Sequence, residues 1–166
     1  MRRSGTWISS VLLVYASACA VHYGFAGGGL PGNIHTMAVM PFDNQTASPD
    51  VGKSLYDEMH SELQQRLGVR DASQEKADAL VRGVIQAYDA DVPVGISANT
   101  QTTSARRRLQ VTIDVEIVDQ TNGHVLFQRK GLQGIADYTE GQEASARLEA
   151  VKKLVNDIVE GAQSNW

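Results

Sequence analysis

The chain has 166 residues, of which 42% are hydrophobic and 20% charged, and its formal net charge is -4 at pH 7. This length and apolar content suffice for one domain with its own core. The mild acidity argues against a nucleic-acid partner, because nucleic-acid binding needs a basic surface. Cys19 is the only cysteine, so no disulfide can form within the chain and stability must come from the core.

Residues 1–18 have the arrangement of an export signal. Arg2 and Arg3 precede the apolar run Trp7–Tyr15, which is too short to span a bilayer because a transmembrane helix needs about 20 apolar residues. The sequence Ala16-Ser17-Ala18-Cys19 follows and resembles the lipobox of a bacterial lipoprotein, although that motif prefers Leu where Ala16 stands. The resemblance implies cleavage before Cys19 and lipid on its thiol and amino group. An ordinary secretory signal and a buried N-terminal helix remain the alternatives.

The predicted anchor indicates where the protein resides. Several acyl chains on one residue hold a protein at a membrane without a transmembrane helix. Ala20, and no Asp, follows the cysteine, and by resemblance to the lipoprotein sorting rule this predicts the outer membrane, facing the periplasm. Residues 19–33 are then a lipidated cysteine and a Gly-rich tether, in which Tyr23 and Phe25 could dock on the domain.

The first half of the domain, predicted over residues 34–162, begins with a strand and a helix. Residues 36–40 form a short apolar run that ends at Pro41, which is typical of a buried strand. Ser48-Pro49 is a helix start, with a proline at the first helical position. Apolar residues then follow at about four-residue spacing as far as Gly68 and predict one amphipathic helix; they are Val51, Leu55, Met59, Leu63 and Leu67.

Three strands and a second helix are predicted in the remainder. Residues 79–88 are rich in strand formers, and residues 106–118 alternate strictly between apolar and polar side chains. Asn122-Gly123 predicts a hairpin turn leading to a fourth strand over residues 124–138. Thr139 and Gln142 predict a capping box for a last helix, whose buried stripe would contain Ala144, Leu148, Val151, Val155 and Ile158.

These elements predict an α+β fold. Both amphipathic helices need an apolar surface, and the dry face of the sheet is the only candidate. We therefore expect a two-layer sandwich, a four-stranded mixed or antiparallel sheet with two helices on one face, in the order β-α-β-β-β-α.

Catalytic and metal-binding patterns are missing from the sequence. The histidines are scattered, and no Ser or Cys nucleophile has a recognisable setting. Gly52-Lys53-Ser54 invites comparison with a phosphate-binding loop, but Ala47 occupies the position of the essential glycine. We predict no enzyme activity, no cofactor and no metal.

The densest basic run is Arg106-Arg107-Arg108, and Arg129-Lys130 lies on the strand predicted to pair with it. With Asn122-Gly123 as the turn, we expect the two groups to lie at the same end of the hairpin. Guanidinium groups bind phosphate in a bidentate fork, and lysine adds a point charge. The five residues are therefore candidate contacts for an anionic lipid. A charged strand edge that prevents aggregation is the more ordinary explanation, and another partner is the third.

Taken in order, several segments resemble the LptE family of outer-membrane lipoproteins. They are Cys19 with the lipobox, Tyr23-Gly24-Phe25, Leu30-Pro31, residues 41–46 (PFDNQT), residues 77–83 (ADALVRG) and residues 108–113 (RLQVTI). The resemblance implies a non-enzymatic protein that plugs the β-barrel LptD, assists its assembly and contacts lipopolysaccharide in transit to the outer leaflet. A periplasmic lipoprotein that regulates a cell-wall synthase is the alternative, since such proteins share the apolar strand followed by Pro-Phe-x-Asn.

Overall fold

The computed structural model describes residues 30–93 and 106–164. In chain order the elements are β1 (Thr36–Val39), β2 (Asp43–Asn44), α1 (Pro49–Leu67), β3 (Arg70–Asp71), β4 (Ala79–Pro93), β5 (Arg107–Asp119), β6 (Val125–Tyr138) and α2 (Glu143–Ser164). The predicted signal peptide, Cys19 and residues 20–29 of the tether lie outside the described residues.

All six strands belong to one mixed sheet. Its order is β3-β1-β4-β5-β6, with β2 pairing separately with β4. The pairs β4–β5 and β5–β6 are antiparallel, whereas β1, β2 and β3 form parallel pairs. The predicted α+β class with two helices is confirmed, but the four-stranded sheet is wrong. The additional strands β2 and β3 have two residues each, too few to show an alternating pattern in the sequence.

The central strand β5 determines which side of the sheet becomes the core. Its odd-numbered residues from Leu109 to Ile117 are buried, and the even-numbered residues between them are partly exposed. Because successive side chains of a strand point to opposite faces, one face is dry and the other is wet. Buried residues of both helices pack in the same cluster as the odd-numbered residues of β5. We call the opposite, wet side the open face.

Helix α1 follows the predicted pattern. Pro49 occupies the first turn, and Val51, Leu55, Met59 and Leu63 are buried. The helix ends at Gly68, whose φ of 65° is the left-handed conformation that glycine adopts without a steric penalty.

Helix α2 buries Val151, Val155 and Ile158 as predicted, but its first turns differ from the prediction. Ala144 and Leu148 are exposed, Leu148 by 49%, whereas Ala146 and Ala150 are buried. A Cβ atom on Gly134 of β6 would lie 2.2 Å from the carbonyl oxygen of Ala150, so the helix backbone almost touches the strand. Ala150 therefore lies where the helix backbone meets the strand, and a larger side chain at that position would hold the two apart.

The two ends of the sheet differ in chemistry. At one end, which we call the turn pole, lie Asp78, Asp119 and the β5–β6 turn at residues 120–123. At the opposite end, the arginine pole, Arg107 and Arg108 pair with the end of β6, and both helices begin nearby.

Candidate functional site

The five predicted basic residues do not form one cluster. Arg107 pairs with Tyr138, whereas Arg129 pairs with Val115, eight residues farther along β5. At about 3.3 Å per residue, the two levels are separated by roughly 26 Å. The expectation that both groups lie at the same end of the hairpin is therefore wrong. Paired residues of a hairpin lie at similar distances from its turn, but Arg129 follows Gly123 by six positions and Arg108 precedes Asn122 by fourteen.

The basic side chains are also divided between the two faces of the sheet. Arg107 and Arg129 pair with residues of the helix-covered face, whereas Arg108 pairs with Asp137 on the open face. Lys130 lines a hollow of about 290 Å³ on the open face. Arg106 precedes β5 and is exposed. No single flat ligand could contact all five residues at once.

Acidic side chains lie beside two of these arginines. The Arg108 guanidinium donates to both carboxylate oxygens of Asp137, at 2.7 Å and 3.3 Å. This hydrogen bonding lowers the pKa of Asp137 and raises the pKa of Arg108. Arg107 lies 3.7 Å from Asp91, too far for a hydrogen bond. Arg107 thus retains more donor capacity for a ligand than Arg108 does.

Arg129 and Lys130 have different surroundings. The Arg129 guanidinium lies 6.0 Å from the ring centroid of Phe127, at the outer limit of a cation–π contact. The hollow beside Lys130 also contains Arg82, Asp114 and Glu116, and Arg82 donates to Glu116 at 2.6 Å. Positive and negative groups are mixed there, so the hollow suits a polar ligand better than a purely anionic one.

The arginine pole contains a residue that the sequence analysis did not single out. Arg147 of α2 and Arg107 of β5 line a hollow of about 520 Å³, together with Asp50, Glu143 and Tyr138. The Arg147 Nη2 lies 3.7 Å from Asp50, and its buried Nε has no hydrogen-bond partner among the described residues. No spacing or motif in the sequence singles out Arg147.

Tyr88 borders the same pole. Its hydroxyl donates to Glu143 at 2.7 Å, and burial, with help from this bond, raises the pKa of Tyr88 to about 12. The phenol is therefore protonated across the physiological range and acts there as a hydrogen-bond donor to the start of α2. In the part of the chain that the structure describes, no group of His, Cys, Asp and Glu side chains is arranged to hold a metal ion.

Neither of the two described helices is long and apolar enough to cross a membrane.

Comparison with known proteins supports the fold and shows the family. Comparison with curated proteins finds no match. Among solved structures, the PelC dodecamer from Paraburkholderia phytofirmans is 18% identical, covering 79% of this chain and 93% of that chain with a TM-score of 0.51. Protein CT253 from Chlamydia trachomatis is 10% identical, covering 80% and 97% with a TM-score of 0.51. A candidate lipoprotein from Caulobacter crescentus CB15 is 15% identical, covering 75% and 88%, again with a TM-score of 0.51.

At these identities the solved structures show a common fold and no more. The family model described as LptE, lipopolysaccharide-assembly, matches residues 34–160, which include every described strand and most of α2. The chain belongs to the LptE family of lipopolysaccharide-assembly lipoproteins.

Proposed function

We propose that this protein is a lipid-anchored outer-membrane component that plugs an LptD-type β-barrel, assists its assembly and takes part in lipopolysaccharide transport to the outer leaflet. The observation that carries this proposal is the LptE match across residues 34–160. The family is non-enzymatic, and the role is steric and recognitional. A two-layer domain with one open sheet face has the shape that such a role requires, because it can fill a lumen while presenting polar side chains to the wall.

Affinity purification from membranes in mild detergent tests the partner. We expect a large outer-membrane barrel to be recovered with the protein. Recovery of a peptidoglycan synthase in its place would favour the alternative, a regulator of cell-wall synthesis, and would contradict the proposal.

The anchor is tested separately by replacing Cys19 with Ala. We expect the variant to lose its lipid, to leave the membrane fraction and to yield less assembled barrel. Mass spectrometry of the N-terminal peptide identifies the acyl groups in the parent protein. Membrane attachment that survives Cys19→Ala would refute lipidation at this cysteine.

We further propose that lipopolysaccharide contacts are made by the basic residues, now divided into two groups: Arg106, Arg107 and Arg108 at the arginine pole, and Arg129 and Lys130 near mid-sheet. The groups are tested against each other. Arg106→Gln with Arg107→Gln removes two charges at the pole while sparing the Arg108–Asp137 pair, and Arg129→Gln with Lys130→Gln removes two charges at mid-sheet.

We expect the pole variant to bind lipopolysaccharide several-fold more weakly. Among the described residues no carboxylate is hydrogen-bonded to Arg107, so its guanidinium is available to a phosphate group. A larger loss in the mid-sheet variant would assign the contact to Arg129 and Lys130. If both variants bind normally and remain folded, the basic residues serve solubility alone.

A further inference from the structure

Strand β6 has a long outer edge that the described residues leave unpaired. It is the last strand in the order β3-β1-β4-β5-β6, and it extends over 14 residues. The Lys153 ammonium of α2 donates to the Ile135 carbonyl at 2.8 Å, which shows that the backbone groups of Ile135 point away from β5. Because alternate residues of such a strand face the same way, Gln133 also presents its N–H and C=O outward. An edge of this length is normally covered or blocked, since it pairs readily with another strand.

A groove lies beside this edge, between β6 and the last turns of α2. Its volume is about 640 Å³, and it extends from Arg129–Gln133 on the strand to Asp157–Ser164 on the helix. Leu132 faces the helices and is only partly buried. Arg129 has one face towards Phe127, and a second aromatic ring could stack on its other face. Proteins that bind an extended segment as an added strand often use a groove of this kind, where main-chain bonds supply affinity and pockets select alternate side chains.

The N-terminal part of the domain leads towards this edge. The N–H groups of His35 and Thr36 donate to Asp78, immediately before β4. Asn33 donates to Asp119, at the end of β5, at 3.0 Å. Followed backwards, the chain therefore crosses the turn pole from β4 to β5, and β6 is the next strand in the sheet.

Leu30, three residues before Asn33, already packs against the core. The Ile34 N–H donates to the Pro31 carbonyl at 2.9 Å, so residues 31–34 form a turn that keeps Leu30 close to Asn33. The first residues of β6 lie only one strand spacing, roughly 4.8 Å, beyond the end of β5. The preceding residues, 20–29 (AVHYGFAGGG), therefore begin within reach of the start of β6.

The length and the pattern of this segment match the free edge. Ten residues of strand span about 33 Å, and the eight steps from Val125 to Gln133 span about 26 Å. Val21, Tyr23 and Phe25 alternate with smaller or polar residues, so a strand would place all three on one face. We propose that residues 20–29 add an antiparallel strand to the outer edge of β6, with Val21, Tyr23 and Phe25 in the groove against α2.

This strand would also determine which pole faces the membrane. It would carry Ala20 to the level of Gln133, which is closer to the arginine pole than to the turn pole. If Cys19 is lipidated, as the proposed function requires, Arg106–Arg108 would face the lipid surface. The added strand itself needs no lipid. An experiment on the unlipidated chain therefore tests the strand independently of the anchor.

Hydrogen exchange of the mature, unlipidated chain beginning at Ala20 tests the proposal. We expect the alternate amides that face β6, those of His22 and Gly24, and the amide of Gln133 to exchange at least about tenfold more slowly than in an unfolded peptide. Replacing Val21, Tyr23 and Phe25 together with Ser should abolish this protection at Gln133 and leave the β4–β5 amides unchanged. The matched control replaces Ala20 and His22 with Ser, on the opposite face of the strand, and should retain the protection.

Two results would overturn the proposal. Exchange at Gln133 that is the same in the triple variant and the parent would show that the segment does not cover the edge. Protection that increases with protein concentration would show that a second copy of the chain covers it.

Discussion

The contact between Gly134 and α2 allows a quantitative test of the packing. Replacing Gly134 with Ala would place a Cβ 2.2 Å from the Ala150 carbonyl oxygen and 2.6 Å from the Leu154 Cγ. An ordinary contact begins at 3.4 Å, so the helix backbone would have to withdraw by about 1.2 Å. Because the closest atom belongs to a helix backbone, no side-chain rotation can relieve the clash.

The expected cost follows from two opposing effects. Overpacking of this kind destabilises a core by about 1–3 kcal/mol. Replacing glycine also restricts the backbone of the unfolded chain, which raises the free energy of unfolding by about 0.5–1 kcal/mol. The central values of these ranges give a net loss of about 1.3 kcal/mol in the free energy of unfolding for Gly134→Ala. With a denaturant slope of about 1.5 kcal/mol per molar urea, the unfolding midpoint falls by roughly 0.8 M.

Gly32→Ala is the matched control, since nothing lies within 4 Å of the position where its Cβ would be. It introduces the same methyl group and should leave stability unchanged or raise it by up to about 1 kcal/mol. A Gly134→Ala midpoint within error of the Gly32→Ala midpoint would refute the close packing of α2 on β6.

Three further outcomes are expected. Hydrogen bonds from the backbone N–H of His35 and from Thr36 lower the pKa of Asp78 in the folded protein. The ionised Asp78 therefore stabilises the fold above its unfolded pKa of about 3.9, and this stabilisation is lost as the pH falls through the lower folded pKa. Urea midpoints measured from about pH 6 down to about pH 2.5 should thus decline less steeply in Asp78→Asn than in the parent, and equal slopes would contradict the assignment. Because the pKa of Tyr88 is raised to about 12, its phenolate should appear last in an ultraviolet titration, and Tyr88→Phe should remove that late step without affecting the earlier ones. Phe127→Ala should lower the free energy of unfolding by about 3–5 kcal/mol in chemical denaturation, because the ring is buried. Val125 is exposed, so an equally large loss in Val125→Ala would contradict this position of the core.

The strongest periodic patterns in the sequence correspond to real elements. The alternation over residues 106–118 predicted β5 to within one residue at each end, and the helix start at Ser48-Pro49 is where α1 begins. Such patterns are informative because one face of each element is buried, and burial selects side chains at a fixed spacing.

The candidate site was less predictable. The sequence identified the basic residues by type, but their separation depends on the strand register, which places Arg129 opposite Val115 rather than near Arg107. Arg147 joins Arg107 only because α2 begins beside the end of β6. Long-range proximity of this kind leaves no local pattern to detect.

Local composition and spacing in the sequence determined the α+β class, the long strands, both helices and the resemblance to LptE. These properties depend on neighbouring residues and on which face of an element is apolar. The tertiary structure alone decided the two short strands, the exposure of Ala144 and Leu148 in the first turns of α2, and the division of the basic residues between faces. Each of these depends on which surfaces approach most closely: β2 and β3 exist because longer strands pair with them, and the backbone of α2 approaches the sheet at Ala150 because Gly134 has no side chain there.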